Sequence, residues 1–185
     1  MADRAPDHLR HGHGRADQAT PGTAARSPSR PAVAVRGIVE SIHLAAAPGA
    51  PMQSVTEVRA EAGRGLVGDR YYEAAPAPHG HGGQQVTLVE AEAVEALARD
   101  YGVVIDPGET RRNIVTRGVP LNHFVHREFR VGEVRLRGVG LCEPCHHLQQ
   151  LTRPGVLRGL VHRGGLRAAI LSDGTIRVGD PVEPV

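Results

Sequence analysis

Lysine is missing from this chain, and all 22 of its basic residues are arginine. That absence excludes an enzyme holding pyridoxal phosphate as a Schiff base on its own lysine. It also leaves arginine, with histidine, to bind any anion. Tryptophan is absent too and aromatics reach only 3%, so a core must be built from Val, Leu, Ile and Ala, for which a 40% hydrophobic content suffices. Two cysteines cannot form a disulfide framework. No stretch approaches the ~18 apolar residues of a helical membrane span. The opening residues, Met1 to His8, lack the apolar region of an export signal. A cytoplasmic, reducing location is therefore expected, with no membrane partner. Net charge is only +2, with acids and arginines interspersed, which gives nucleic-acid binding little electrostatic support.

What is present divides in two. Residues 1–31 are rich in Ala, Pro, Arg, Gly and Ser without apolar periodicity, and read as a disordered tail in which His11 and His13 are solvated. Residues 32–185 read as one domain. Short β-like runs cover Val33 to Leu44 and Ser54 to Ala62, and Gly65 to Tyr72 forms a glycine-bracketed turn carrying Asp69 and Arg70. Residues 74–83, with two prolines and two histidines, read as a mobile loop. Gln85 to Val89 is a strand, and Glu90 to Tyr101 is the clearest helix, with Ala93, Val94 and Leu97 on one side and Gly102 as its stop. A turn at Gly132-Glu133 would set Val131 opposite Val134, Phe129 opposite Leu136, and Arg130 opposite Arg135, with Glu128 and Glu133 near enough to neutralise the opposed arginines. Asp173-Gly174 predicts a second hairpin pairing Leu171 with Ile176 and Ala169 with Val178. Strands dominate, connections are short and one long helix stands out, so a mixed α/β domain on a β-barrel or curled antiparallel sheet is expected.

Both cysteines fall in Cys142-Glu-Pro-Cys145-His146-His147. Structural zinc through Cys142, Cys145 and a histidine lacks a second ligand pair, since His162 is the only histidine downstream. Cys142-x-x-Cys145-His146 also spells a haem-attachment pattern, but attachment needs export. A thioredoxin-like dithiol belongs beside a βαβ unit, whereas a hairpin precedes Cys142. The fourth reading is a nucleophilic or sulfur-accepting thiol. Pro144 suits the first position of a helix whose apolar side carries Leu148 and Leu151, which would put Cys145 in the first turn, near His146 or His147. Two buried core cysteines are the plain alternative.

The order and spacing of Gly65-Leu-Val-Gly68-Asp69-Arg70, Gln85-Val-Thr-Leu, Arg112-Asn113-Ile, Phe129-Arg-Val-Gly-Glu-Val, Glu143-Pro-Cys145 and Gly174-Thr-Ile-Arg-Val-Gly179-Asp180 resemble the MOSC domain, from about Arg36 to Val182. The resemblance implies a β-barrel-like fold with flanking helices, in a stand-alone bacterial-type protein. It also implies a persulfide carrier, or a component that binds the molybdenum cofactor in sulfur transfer or reduction. Cys145, with His146 beside it, takes the reacting role and the position facing the metal. Arg112, Asn113, Asp69, Arg70 and His147 are the expected cofactor-binding residues, Arg112 for phosphate and Asn113 for the pterin edge. A chain without lysine must draw sulfur from a partner such as a cysteine desulfurase, or electrons from a donor protein. The rival functions are a non-catalytic carrier of the cofactor or another anion, and a zinc protein.

Overall fold

Strand β1 (Gly37–Leu44) shows how the sequence builds the barrel. Val39 and Ile42 are both fully buried although an odd number of positions separates them. A bulge between Val39 and Ser41 absorbs the extra residue, so both side chains turn inward while Ser41 and His43 share the outer face. The computed structural model describes residues 36–72 and 85–185. The expectations for the tail, for His11 and His13 and for the loop at 74–83 lie outside the described residues.

After β1 come β2 (Gln53–Val55), β3 (Glu57–Glu61), β4 (Gly65–Leu66) and β5 (Val86–Glu90). Helix α1 (Ala91–Tyr101) crosses over to β6 (Ile114–Arg117), followed by β7 (Glu128–Val131) and β8 (Val134–Leu141). Two short helices, α2 (His146–Leu151) and α3 (Val156–Gly159), precede β9 (Leu166–Ile170), β10 (Gly174–Arg177) and β11 (Pro181–Pro184). Seven strands close on themselves in the order β1, β11, β7, β8, β9, β5, β6, and back to β1. Only β5 and β6 run parallel, as the intervening helix requires. The expected strand-dominated barrel with flanking helices is the architecture observed.

Inside the barrel lie Val86, Leu88, Ile114, Phe129, Leu136 and Leu166, all fully buried, with Phe124 and Phe129 stacked at 4.6 Å. A small sheet of β10, β3 and β4 adds Val58, Ala60, Leu66 and Ile176 to the same core. Strand β5 is buried on both faces. Its Val89 packs outward into a second cluster with Val94 and Leu97 of α1, Leu148 of α2 and Val156 of α3. Each such side chain contributes roughly 1.5–3 kcal/mol on burial. The second cluster pins α1, α2 and α3 to the outer wall, and Gly102, left-handed at φ 66°, ends α1 where the sequence placed its stop.

The first hairpin has the expected register: Val131 faces Val134, Phe129 faces Leu136 and Arg130 faces Arg135. Gly132 alone carries the positive φ, 57°, of a two-residue turn. Glu128 bonds Arg135 at 2.6 Å and relieves the opposed arginines, while Glu133 bonds the Thr175 amide instead.

The second hairpin does not form. β9 pairs with β8 and β5, whereas β10 leaves the barrel to pair with β3, setting Ile176 opposite Val58. An Asp-Gly hairpin turn needs positive φ, and neither Asp173 nor Gly174 has it. The Asp173 carboxylate instead accepts the Ala62 amide at 2.7 Å, holding the crossing between the two sheets.

Candidate functional site

Where β8 leaves the barrel, the chain stays extended from Cys142 to Cys145 because its backbone is held from both sides. The Cys142 amide donates to the Gly165 carbonyl at 2.7 Å, and the Cys142 carbonyl accepts from Arg112 Nη2 at 2.7 Å. Pro144 is buried against Gly164, where an added Cβ would come within 2.8 Å of the proline ring. The helix therefore begins at His146, with Cys145 as its extended N-cap at φ −137° and ψ 168°. This corrects the expected start at Pro144. It leaves Cys142 buried and the Cys145 thiol exposed.

Arg112 is itself buried, and its guanidinium joins three backbone segments. Nε donates to Gly164 O at 2.8 Å, Nη1 to Thr110 O at 3.1 Å and Nη2 to Cys142 O. Asn113, next in sequence, is fully buried with all four hydrogen-bonding positions filled. Its Oδ1 accepts from the Thr87 amide at 3.1 Å and hydroxyl at 2.9 Å, and its Nδ2 donates to Asp69 Oδ1 at 2.9 Å and His43 O at 3.3 Å. Asp69 also accepts the Ala45 and Tyr71 amides. The Asp69 turn is thus fastened to β1, β5 and the start of β6.

Above this network lies a cleft of about 280 Å³ bordered by Arg70, Arg111, Arg112, Arg167, Cys145 and His147. Arg70 stacks on the Tyr71 ring at 4.5 Å, with Nη1 3.3 Å from Asp69 and Nη2 donating to Arg111 O at 3.0 Å. Burial, and then the neighbouring Arg70 charge, push the Arg111 pKa below its ordinary value. The Arg167 Nε is buried and has no hydrogen-bond partner among the described residues. Glu143, the one carboxylate on the lining, is turned to His162, accepting its amide at 2.8 Å and facing Nδ1 at 3.1 Å. Crowded guanidinium groups with so little opposing charge favour a phosphate- or carboxylate-bearing ligand.

Of the residues expected from sequence, Cys145, Arg70, Arg112 and His147 border this cleft. His146 is exposed on α2 and does not line it. Asp69 and Asn113 lie beneath it, and the filled amide of Asn113 leaves no free edge for a pterin. Arg111, Tyr71, Thr87 and Arg167 also line it without having been singled out, although the pairing of Arg111 with Arg112 was a visible signal. Among the described residues, no three His, Cys, Asp or Glu side chains gather as a metal would require.

Arg111 also borders a wider cleft, about 750 Å³, on the far side. There, buried His43 holds Ser41 Oγ at 2.9 Å from Nε2 and Ser54 Oγ at 3.1 Å from Nδ1. Burial lowers the His43 pKa below 6.5. The unfolded chain then takes up the proton before the folded one, so this part of the stability is complete above pH 6.5 and is lost as the pH falls below it. A His43→Gln variant is expected to show a shallower acid decline in unfolding free energy, read from urea titrations across that range. An equal slope would remove His43 from the acid response.

A strand-closed barrel with an exposed cysteine at the N-cap of the helix that follows one strand, over an arginine-lined cleft, defines the architecture. The MOSC domain model matches residues 75–183, and the chain belongs to that family. Among solved structures, the YuaD protein from Bacillus subtilis is similar with a TM-score of 0.69 at 18% identity, over 80% of this chain and 94% of that one. YiiM from Geobacillus stearothermophilus gives 0.60 at 15%, over 80% and 75%. YiiM from Escherichia coli gives 0.58 at 18%, over 80% and 69%. At these identities the likeness is one of fold. No curated protein matches the chain.

Proposed function

We propose that this MOSC protein carries sulfur on Cys145, or presents that thiolate to the metal of a molybdenum cofactor, with the arginine cleft holding the ligand's anionic group. The observation that carries the reading is that the exposed Cys145 thiol borders the same cleft as Arg70, Arg111, Arg112 and Arg167. The donor set suits such a cofactor. Arginine forks match a phosphate, the partnerless Arg167 Nε offers a buried donor, and thiolate sulfur is a soft ligand. When bound, the cofactor would supply the redox or sulfur-transfer chemistry of its metal.

The chain's own step is an exchange. The Cys145 thiolate attacks the outer sulfur of a donor persulfide, giving Cys145–S–SH and releasing the donor thiolate. His147, on the same rim, is the histidine placed to exchange a proton with incoming groups. The donor is a partner of cysteine-desulfurase type, or an electron-donor protein for the reductive variant. Among the described residues no helix is long and apolar enough to cross a membrane.

Incubation with a desulfurase and cysteine should add one sulfur atom to the intact mass of the wild type and none to Cys145→Ser. Equal addition to both would exclude Cys145. A carrier without chemistry is the second reading, favoured by the arginine lining itself. It expects pterin fluorescence to copurify equally with wild type and Cys145→Ser, and to be lost in Arg167→Ala.

A further inference from the structure

The wider cleft is not part of the Cys145 site, although the two share Arg111. Two of its three carboxylates are already paired with arginines. Glu40 pairs with Arg117, and Glu109 accepts the Asp106 amide at 2.7 Å and Arg153 Nη2 at 3.2 Å. Asp106 is exposed at the rim, opposite in sign to Arg111. Simple cation binding therefore has little to act on.

What remains uncommitted is the Ser41–His43–Ser54 array. The bulge in β1 sets Ser41 and His43 on the outer face, β2 brings Ser54 to the other edge of the ring, and Gly108 lies so close that a Cβ there would reach 2.9 Å from Nδ1. A neutral imidazole has one donor nitrogen and one acceptor nitrogen. One serine must therefore donate to the ring, keeping its lone pairs for a ligand. The other accepts from it, keeping its hydroxyl proton for a ligand. The array thus presents an acceptor at one edge and a donor at the other, beside the apolar surfaces of Pro51, Met52 and Leu151.

We propose that the wider cleft is a second ligand site, for an uncharged carboxamide-type molecule with an apolar body and separate donor and acceptor groups, read by Ser41, His43 and Ser54. Burial keeps His43 neutral near physiological pH, which preserves this polarity.

Nicotinamide is a suitable probe. Titrated into isotope-labelled protein, it should shift the His43 ring nitrogens and the Ser41 and Ser54 amides saturably at millimolar concentration. Nicotinate, the same ring with a carboxylate, should bind more weakly. Binding should fall roughly fivefold to tenfold in Ser54→Ala, the loss of one hydrogen bond. Ser54 is exposed on a short strand, so this variant leaves the core untouched, and Ser41→Ala offers an independent check. Cys145→Ser should bind nicotinamide as the wild type does, which separates this site from the sulfur chemistry. Absence of saturable shifts at His43, equal affinity in both serine variants, or a preference for nicotinate would each overturn the proposal.

Discussion

Replacing Asn113 by alanine is expected to lower the unfolding free energy by about 3–5 kcal/mol, at the upper end of single-residue effects. The side chain is fully buried and joins Thr87 of β5, the His43 carbonyl of β1 and the Asp69 carboxylate. Removing it leaves the His43 carbonyl, the Thr87 amide and the Thr87 hydroxyl proton without partners in the interior, while Asp69 Oδ1 keeps the Ala45 amide and Arg70, and each unmet group costs about 1–3 kcal/mol before relaxation. Asn113→Asp keeps the shape but turns an acceptor toward Asp69 and His43 O, where donors are needed, so it should be at least as damaging. Urea titration with a constant slope would measure both. A cost below about 1 kcal/mol for the alanine variant, the worth of one ordinary hydrogen bond, would mean that the network is dispensable. Because the Asp69 turn carries Arg70 into the cleft, anion affinity should fall along with stability.

The second large effect is expected at Arg112. Three carbonyls on three separate segments, at Thr110, Cys142 and Gly164, are held by one planar fork. Lysine retains the charge but presents a compact ammonium on a flexible stem, which cannot span them. We expect Arg112→Lys to cost about 2–4 kcal/mol, since at least two buried carbonyls lose their donor. Hydrogen exchange should rise at the Cys142 amide, whose bond to Gly165 O depends on the same segment staying in place. Sulfur loading on Cys145 should slow about tenfold or more, because a small misplacement of a reacting group is costly. If Arg112→Lys kept full stability and slow exchange, Arg112 would be a ligand contact and not a brace.

What could be read ahead of the structure follows the range of the interactions involved. The Gly132-Glu133 hairpin, its opposed arginines and the stop of α1 at Gly102 depend on near neighbours, so alternation and turn chemistry reach them. The motif resemblance located the cysteine loop and the Arg112-Asn113 pair. The Asp173-Gly174 turn misled because its fate rests on Ala62, far away in sequence, which takes the Asp173 carboxylate as its acceptor. Cys145 stands one step outside its helix for a similar reason: Arg112 and Gly165 hold the preceding residues extended. Asn113 read as a ligand contact, since no local pattern reveals that Asp69, Thr87 and His43 converge on it. Arg167 and the Ser41–His43 pair look like ordinary outward positions of strands. Alternation says which side of a strand faces out but not whether that side meets solvent or a cleft.

The seam of the barrel bears on how the protein is made. One margin of β1 is completed only by β11, where Gly37 meets Val182, so this strand must wait for one far later in the chain before the cylinder seals. Such distant pairing slows refolding. Until it is made, the open rim is a place where unfinished chains can join one another instead.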